Sequence, residues 1–181
     1  MANNCYNYIE IIGDKNQLKD LYTDLVLDPK TGCDSGCDIY ENICHKYGKG
    51  GNDARWFDMD VQLYENEIII SGDSAWCPCL EIFTEISSKF PELSIRYSYE
   101  EMGVGFAGWA DIENGECNDN EFGYWEGIIK REGESEALCM VLENELECYE
   151  SEEELKKSEM YLSFSEESRS EILESYKGTV L

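Results

Sequence analysis

Ser74-Ala-Trp-Cys-Pro-Cys-Leu-Glu-Ile-Phe-Thr-Glu-Ile-Ser-Ser-Lys-Phe-Pro-Glu-Leu-Ser-Ile-Arg-Tyr-Ser-Tyr99 is the stretch whose reading decides the fold. It parses into a loop, an amphipathic helix, a stop at proline and a strand. Pro78 suits a first helical turn, where the N–H it lacks would have no partner anyway. Cys79, Ile82, Phe83, Ile86 and Phe90 then fall on one helical face. Phe90 precedes Pro91, whose ring disfavours α geometry in the residue before it, so the helix should end there. Ile95, Tyr97 and Tyr99 alternate with Arg96 and Ser98 at the period of a strand. A helix that feeds directly into a strand can lay its apolar stripe on the sheet that strand joins. This points to an α+β fold and names no reaction.

Upstream, Tyr6 to Ile11 alternates as a first strand ending at Gly13. Asp14 with Gln17 resembles a capping box for a helix carrying Leu18, Leu21, Tyr22 and Leu25, which should end near Asp28-Pro29. From residue 30 to 53 periodicity disappears into a cysteine- and glycine-rich loop, in which Ile39–Tyr47 could form a short helix. Arg55 to Tyr64 returns to strand, with Phe57, Met59, Val61 and Leu63 facing one way and Trp56, Asp58, Asp60 and Gln62 the other. Glu65-Asn66 turns the chain into Glu67–Ser71, whose unbroken Ile68–Ile70 predicts an inner strand covered on both faces.

Downstream, Glu100–Ile112 reads as a strand bent by Gly103, Gly105 and Gly108. Asn114-Gly115 is a strong hairpin turn. The return strand is expected over Phe122–Ile129, with Cys117–Glu121 lengthening the connection. Beyond Lys130, Leu138, Val141, Leu142, Leu146 and Tyr149 keep a loose helical spacing, while Met160, Leu162 and Phe164 alternate. Ser165–Gly178 reads as a final helix with a serine cap, acidic first turn and glycine end. The expected layout is a ferredoxin-like α+β domain over residues 1–131 and an acidic, mainly helical extension over 132–181. The order β-α-β-β-α-β is the split βαβ pattern of an antiparallel sheet, here with an added hairpin.

Composition sets the class. At 181 residues with 42% apolar content, the chain can form one cored domain plus an appendage. No apolar run is long enough to span a membrane and no secretory signal opens the chain, so a soluble cytoplasmic protein is expected. Nine cysteines are an odd number, which favours reduced thiols over a disulfide framework. Forty acidic residues against fourteen basic ones give a net charge of −26. Such a surface repels nucleic acid and anionic membranes, which are bound through Lys and Arg. It attracts basic proteins at long range, although acidity also serves solubility alone.

Trp76-Cys-Pro, Phe90-Pro-Glu-Leu, the Tyr97–Glu101 run and Gly105-Phe-Ala-Gly-Trp109, together with the opening Asn4–Gly13 strand, resemble the YubB ferredoxin-like domain family over most of residues 1–130. The resemblance implies a ferredoxin-like sheet with helices on one face and a gene carried by phages, plasmids or other mobile elements. It implies no enzyme activity. Cys77 and Cys79 around Pro78, the cysteine-bearing loop and the acidic tail depart from that pattern.

Cys33, Cys37, Cys44 and His45 form the best metal candidate, since thiolates and imidazole suit tetrahedral zinc. Their spacing matches no recognised knuckle, and chance clustering is the plainer alternative. In Cys77-Pro-Cys79 a thiol at a helix N-terminus would have a lowered pKa, whereas Cys79 equally fits the helix core stripe. Gly103–Gly108 matches G-x-G-x-x-G only as letters, because no helix follows. With one histidine and no serine elbow or P-loop, no catalytic residue is assigned. The aromatic set Trp56, Tyr64, Trp76, Tyr97, Tyr99, Trp109, Tyr124 and Trp125 lacks the interleaved basic residues of RNA binders. It reads better as core or as a protein-binding face. The expected function is therefore a non-enzymatic acidic protein that inhibits a basic nucleic-acid-binding host protein, of the CRISPR-effector or restriction-enzyme class. The expected contacts are Asp58, Asp60, Trp56, Trp109, Glu145, Glu147, Glu152, Glu153 and Glu154. A small zinc- or thiol-dependent module is the alternative.

Overall fold

Strict alternation builds the first strand, β1 (Asn4–Ile12), in which Cys5, Asn7, Ile9 and Ile11 are buried and the intervening residues are not. The computed structural model describes residues 4–26, 47 and 56–179. β2 (Trp56–Leu63), β3 (Glu67–Ala75), β4 (Ser94–Glu101), β5 (Phe106–Glu113) and β6 (Glu116–Gly123) join β1 in one six-stranded sheet, ordered β2-β3-β1-β4-β5-β6. β1 runs antiparallel to both β3 and β4, and β2 antiparallel to β3. Each strand–helix–strand crossover thus has one strand of the other inserted in it, which is the interleaving expected of a ferredoxin-like α+β fold. β5 and β6 extend the sheet beyond β4. Of the loop expected over residues 30–53, only Tyr47 is described, so the loop and most of the helix expected over Ile39–Tyr47 lie outside the described residues.

The chain divides into two compact units, Met1–Val104 with Trp109–Asn120, and Gly105–Gly108 with Glu121–Leu181. In the first, helix α1 (Lys15–Val26) packs on β2 and β3, and helix α2 (Leu80–Lys89) on β4. Asp14 caps α1 by accepting from the N–H groups of Asn16 (2.9 Å) and Gln17 (3.2 Å). The Gln17 amide does not close the expected box but donates to Glu92 at 2.9 Å. α2 begins at Leu80, two residues after Pro78, and ends as expected at Phe90, whose backbone is non-helical. Its buried face is Ile82, Phe83 and Ile86, and the Phe83 ring meets Tyr97 edge-on at 5.2 Å. Burying each such side chain contributes about 1.5–3 kcal/mol. Lys89 of α2 pairs with Asp24 of α1 at 2.9 Å, which ties the two helices to one another.

Two strand expectations change. Ile68 and Ile70 are fully buried but Ile69 is only partly so, so β3 is an inner strand covered on one face. A register irregularity between Phe57 and Asp60 interrupts the alternation expected along β2.

The last hairpin turns at Asn114-Gly115, both with positive φ (51° and 78°), as a tight turn whose twist matches the strands requires. The return strand is Glu116–Gly123, so the polar run expected to be a connection is β6 itself. It is an edge strand whose residues are mostly exposed. Of the strand expected over Phe122–Ile129 only Phe122 and Gly123 belong to β6, and helix α3 (Tyr124–Glu132) starts at once after them.

The second unit is helical. After α3 come α4 (Glu134–Asn144), a 3-10 turn (Leu146–Cys148), α5 (Glu152–Leu155), α6 (Glu159–Ser163) and α7 (Glu166–Thr179). Trp125, Ile128, Val141, Leu155, Phe164 and Ile172 are among the side chains of its core. Serines cap three successive helices: Ser151 accepts from the Glu154 N–H (3.2 Å), Ser158 from Tyr161 (3.1 Å) and Ser165 from Ser168 (3.4 Å). The alternation of Met160, Leu162 and Phe164 is not strand period. Met160 and Phe164 are buried four apart and Leu162 is exposed.

Candidate partner-binding surface

The expected contact residues fall on both units. Asp60 is exposed on β2, paired with Ser71, and Trp109 is half-buried in β5. Trp56 pairs with Ser74 and Asp58 sits at the β2 irregularity; their side chains lie outside the described residues. Glu147, Glu153 and Glu154 are exposed and Glu145 and Glu152 half-buried, all in the second unit. Glu152 is partly neutralised by Lys156 (2.5 Å) and Lys177 (3.6 Å). Cys33, Cys37, Cys44 and His45 lie outside the described residues. Among the described residues no group of three or more His, Cys, Asp and Glu is placed to hold a metal. Of the aromatic set, Tyr97, Tyr99, Tyr124 and Trp125 are core residues, whereas Tyr64 and Trp76 are half-exposed.

The first unit carries a more coherent feature at the sheet end where β1 starts and β3 and β4 finish. Asn4 pairs with Ala75 on one side, and Tyr6 with Glu100 on the other. Trp76 therefore follows one neighbour of β1, and Met102 follows the other. Tyr6, Trp76, Met102 and Val104 are 46%, 49%, 56% and 58% exposed there. Among the described residues of β3 and β4, Asp73, Glu100 and the buried Glu101 lie at this end; β2 also starts here, Trp56 pairing with Ser74 directly after Arg55 in the sequence. From Glu65 to Ser88, and from Tyr97 to Ile129, the chain contains no Lys or Arg. Exposed rings and a thioether amid carboxylates have the composition of an interface anchor. Trp76 belonged to the expected aromatic set. Met102 and Val104 were overlooked, although two large apolar residues interleaved with glycine beyond a strand end are a signal for an exposed turn.

This end is held firmly. Trp76 has φ of 76°, a left-handed conformation that is strained for a bulky residue and persists only where its surroundings enforce it. Those surroundings are a buried polar network. The Asn7 amide, fully buried, donates to the Cys5 carbonyl (2.7 Å), Ser74 Oγ (2.9 Å) and the Gly72 carbonyl (3.1 Å). Ser74 donates in turn to the Cys77 carbonyl at 2.7 Å. Tyr97 donates to Asn7 Oδ1 (2.7 Å) and accepts from the Cys79 N–H (3.0 Å). On the β4 side, the buried Glu101 carboxylate accepts from the Gly103 N–H (3.1 Å) and from the Val104 N–H.

The thiols here are not activated. Burial pushes the Cys5 thiol up to about 12, and partial burial also raises Cys77, opposite to the lowering that a helix N-terminus would cause. Cys77 lies three residues before α2, and Cys79 is buried, as its place on the core stripe predicts. Cys117 is raised by partial burial and then by nearby Asp119. Because the thiolate is the reactive form, iodoacetamide near pH 8 should, among the described cysteines, label the exposed Cys139 and Cys148 first. Cys77 and Cys117 should follow slowly, and Cys5 and Cys79 only on unfolding. Peptide mapping by mass spectrometry reads the order; early labelling of Cys5 would contradict the packing described.

Comparison with protein families finds that residues 51–161 match the family described as "Ferredoxin-like domain in Api92-like protein". The chain belongs to this family. The matched residues of the Api92-like domain run from before β2 into α6. The ferredoxin-like part of the sequence resemblance thereby stands, under the Api92-like name and not the YubB one. Among solved structures, the domain is similar to the crystal structure of a protein api92 from Yersinia pseudotuberculosis, with 26% identity and a TM-score of 0.30 over 51% of this chain and 32% of that one. The chain thus spans about a third of that protein's length. Comparison with curated proteins gave no match. Among the described residues, no helix is long and apolar enough to cross a membrane.

Proposed function

We propose that this Api92-like domain is a non-enzymatic acidic binding protein, of the YubB-like mobile-element origin its motifs suggest. Its target in the cytoplasm is a basic, nucleic-acid-binding host protein of the CRISPR-effector or restriction-enzyme class. It occupies the cationic channel meant for DNA or RNA. The observation that carries this reading is the sheet end formed by Tyr6, Trp76, Met102 and Val104, large apolar side chains about half exposed on a chain of net charge −26. A net charge of −26 speeds encounter with a cationic partner and disfavours phosphate ligands. The aromatic end supplies the short-range affinity that charge alone does not.

The test uses the full chain against a panel of purified CRISPR effector nucleases and restriction endonucleases, read by DNA cleavage. At least one enzyme should be inhibited, with added nucleic acid competing. Raising salt from about 50 to about 500 mM should weaken binding by at least tenfold, because screening shortens the reach of the field. An absence of inhibition and of binding across the panel and the salt series would rule the reading out.

A further inference from the structure

We propose that β6 is a docking edge at which an extended basic segment of the partner adds as a further strand of the sheet. This rests on the acidic-binder reading above and adds the backbone conformation that is recognised. The site lies within the first unit, in residues 111–120 of the β5–β6 hairpin. β6 is the last strand in the order β2-β3-β1-β4-β5-β6, so among the described residues its outer margin has no strand beside it. Glu116, Cys117, Asn118 and Asp119 are exposed, and β6 contains no proline to interrupt pairing. The two-residue turn at Asn114-Gly115 assigns the free backbone groups. The hydrogen bond that closes such a turn uses the Glu116 N–H, so alternation directs the N–H and C=O groups of Cys117 and Asp119 away from β5.

Charge selects the occupant. Residues 111–120 carry Asp111, Glu113, Glu116 and Asp119 and no Lys or Arg. Three of these carboxylates, on Asp111, Glu113 and Glu116, line a groove of about 360 Å³ together with Asn114, Cys117 and Asn118. Ser94 donates to Glu113 and Tyr99 to Asp119, each at 2.7 Å; these neutral donors fix the carboxylates and leave their charge in place. On the adjoining elements, Arg96 of β4 stands opposite Glu10 of β1, and Lys89 of α2 pairs with Asp24 at 2.9 Å. Nucleic acid meets like charge here and supplies no strand. A second copy would set one acidic edge against another. An extended segment with Lys or Arg at alternate positions meets both demands: its backbone pairs with Cys117 and Asp119, and its cations enter the groove.

The experiment adds three synthetic peptides to the full-length protein at about 50 mM salt, where charges are weakly screened. They alternate lysine with threonine, lysine with proline, and glutamate with threonine. Calorimetry reads affinity, and NMR-resolved amide hydrogen exchange reads the edge. The lysine–threonine peptide should bind at least about tenfold more tightly than the equally charged lysine–proline one, the margin that one or two net backbone hydrogen bonds supply. It should also slow exchange at Cys117 and Asp119, while the glutamate–threonine peptide should not bind. The triple variant Asp111→Asn, Glu113→Gln, Glu116→Gln, whose amides still accept hydrogen bonds, should weaken the lysine–threonine peptide about three- to tenfold, as exposed ion pairs allow. Equal binding of the two cationic peptides, unchanged exchange at Cys117 and Asp119, or undiminished binding by the triple variant would overturn the docking edge and leave the acidic-binder reading intact. Failure of wild type to bind either cationic peptide would overturn both.

Discussion

Asn7→Leu should lower stability by about 3–4 kcal/mol, because leucine removes every hydrogen bond of a fully buried hub and leaves its partners unpaired. Each buried group left without a partner costs about 1–3 kcal/mol, and the change strands the Tyr97 hydroxyl proton and takes a donor from the Gly72 carbonyl and from Ser74 Oγ. In a chain of this size the melting temperature should fall by about 10 °C. Tyr97→Phe removes one spoke of the same hub, so the double variant should be less destabilised than the sum of the singles. Chemical denaturation of the four proteins measures the coupling. Additive losses would mean that the two residues do not share a network. Because this network also holds the loop bearing Trp76, Asn7→Leu should weaken partner capture under conditions where the protein is still folded.

Gly127→Val should destabilise the helical unit by about 3 kcal/mol, within the range seen when bulk is forced against backbone. A Cβ at Gly127 would stand 2.7 Å from the Ala107 carbonyl oxygen and 2.8 Å from its Cβ. Backbone cannot swing aside as a flexible side chain can. The sign for Gly127→Ala is the sharper check. In an open helix that change stabilises by about 1 kcal/mol, whereas here it should destabilise. A stabilised Gly127→Ala would mean that α3 does not approach β5 so closely.

These two positions also mark how far the sequence could be read. The strand–helix–strand order, the helix stop at Phe90 and the Asn114-Gly115 turn were legible because each follows from local sterics or a 3.6- or 2-residue period. Residues 116–129 were read the wrong way round for equally physical reasons. Edge strand β6 is mostly exposed and needs no apolar stripe, so its polar sequence resembled a loop. In α3, Tyr124, Trp125, Ile128 and Ile129 mimic a strand, and Gly127 weakens the helical signal. Gly127 is there to allow close approach to Ala107, a tertiary requirement that no local pattern displays. The same applies to Asn7, a polar residue on the buried face of β1 most of whose partners lie 65 to 90 residues away. The acidic contact set was inferred from charge density alone. Charge density cannot say which carboxylates are matched by lysines, as Glu152 is, or which border exposed rings.

The outermost strand of the sheet has a consequence for the molecule's company. Glu116, Asp119 and Glu121 stand along β6, and its residues are mostly exposed. Two such margins brought side by side would set carboxylate against carboxylate, which is unfavourable in any register. Growth of the sheet by self-addition is therefore self-limiting, and crowding should not turn this chain into fibrils through that margin.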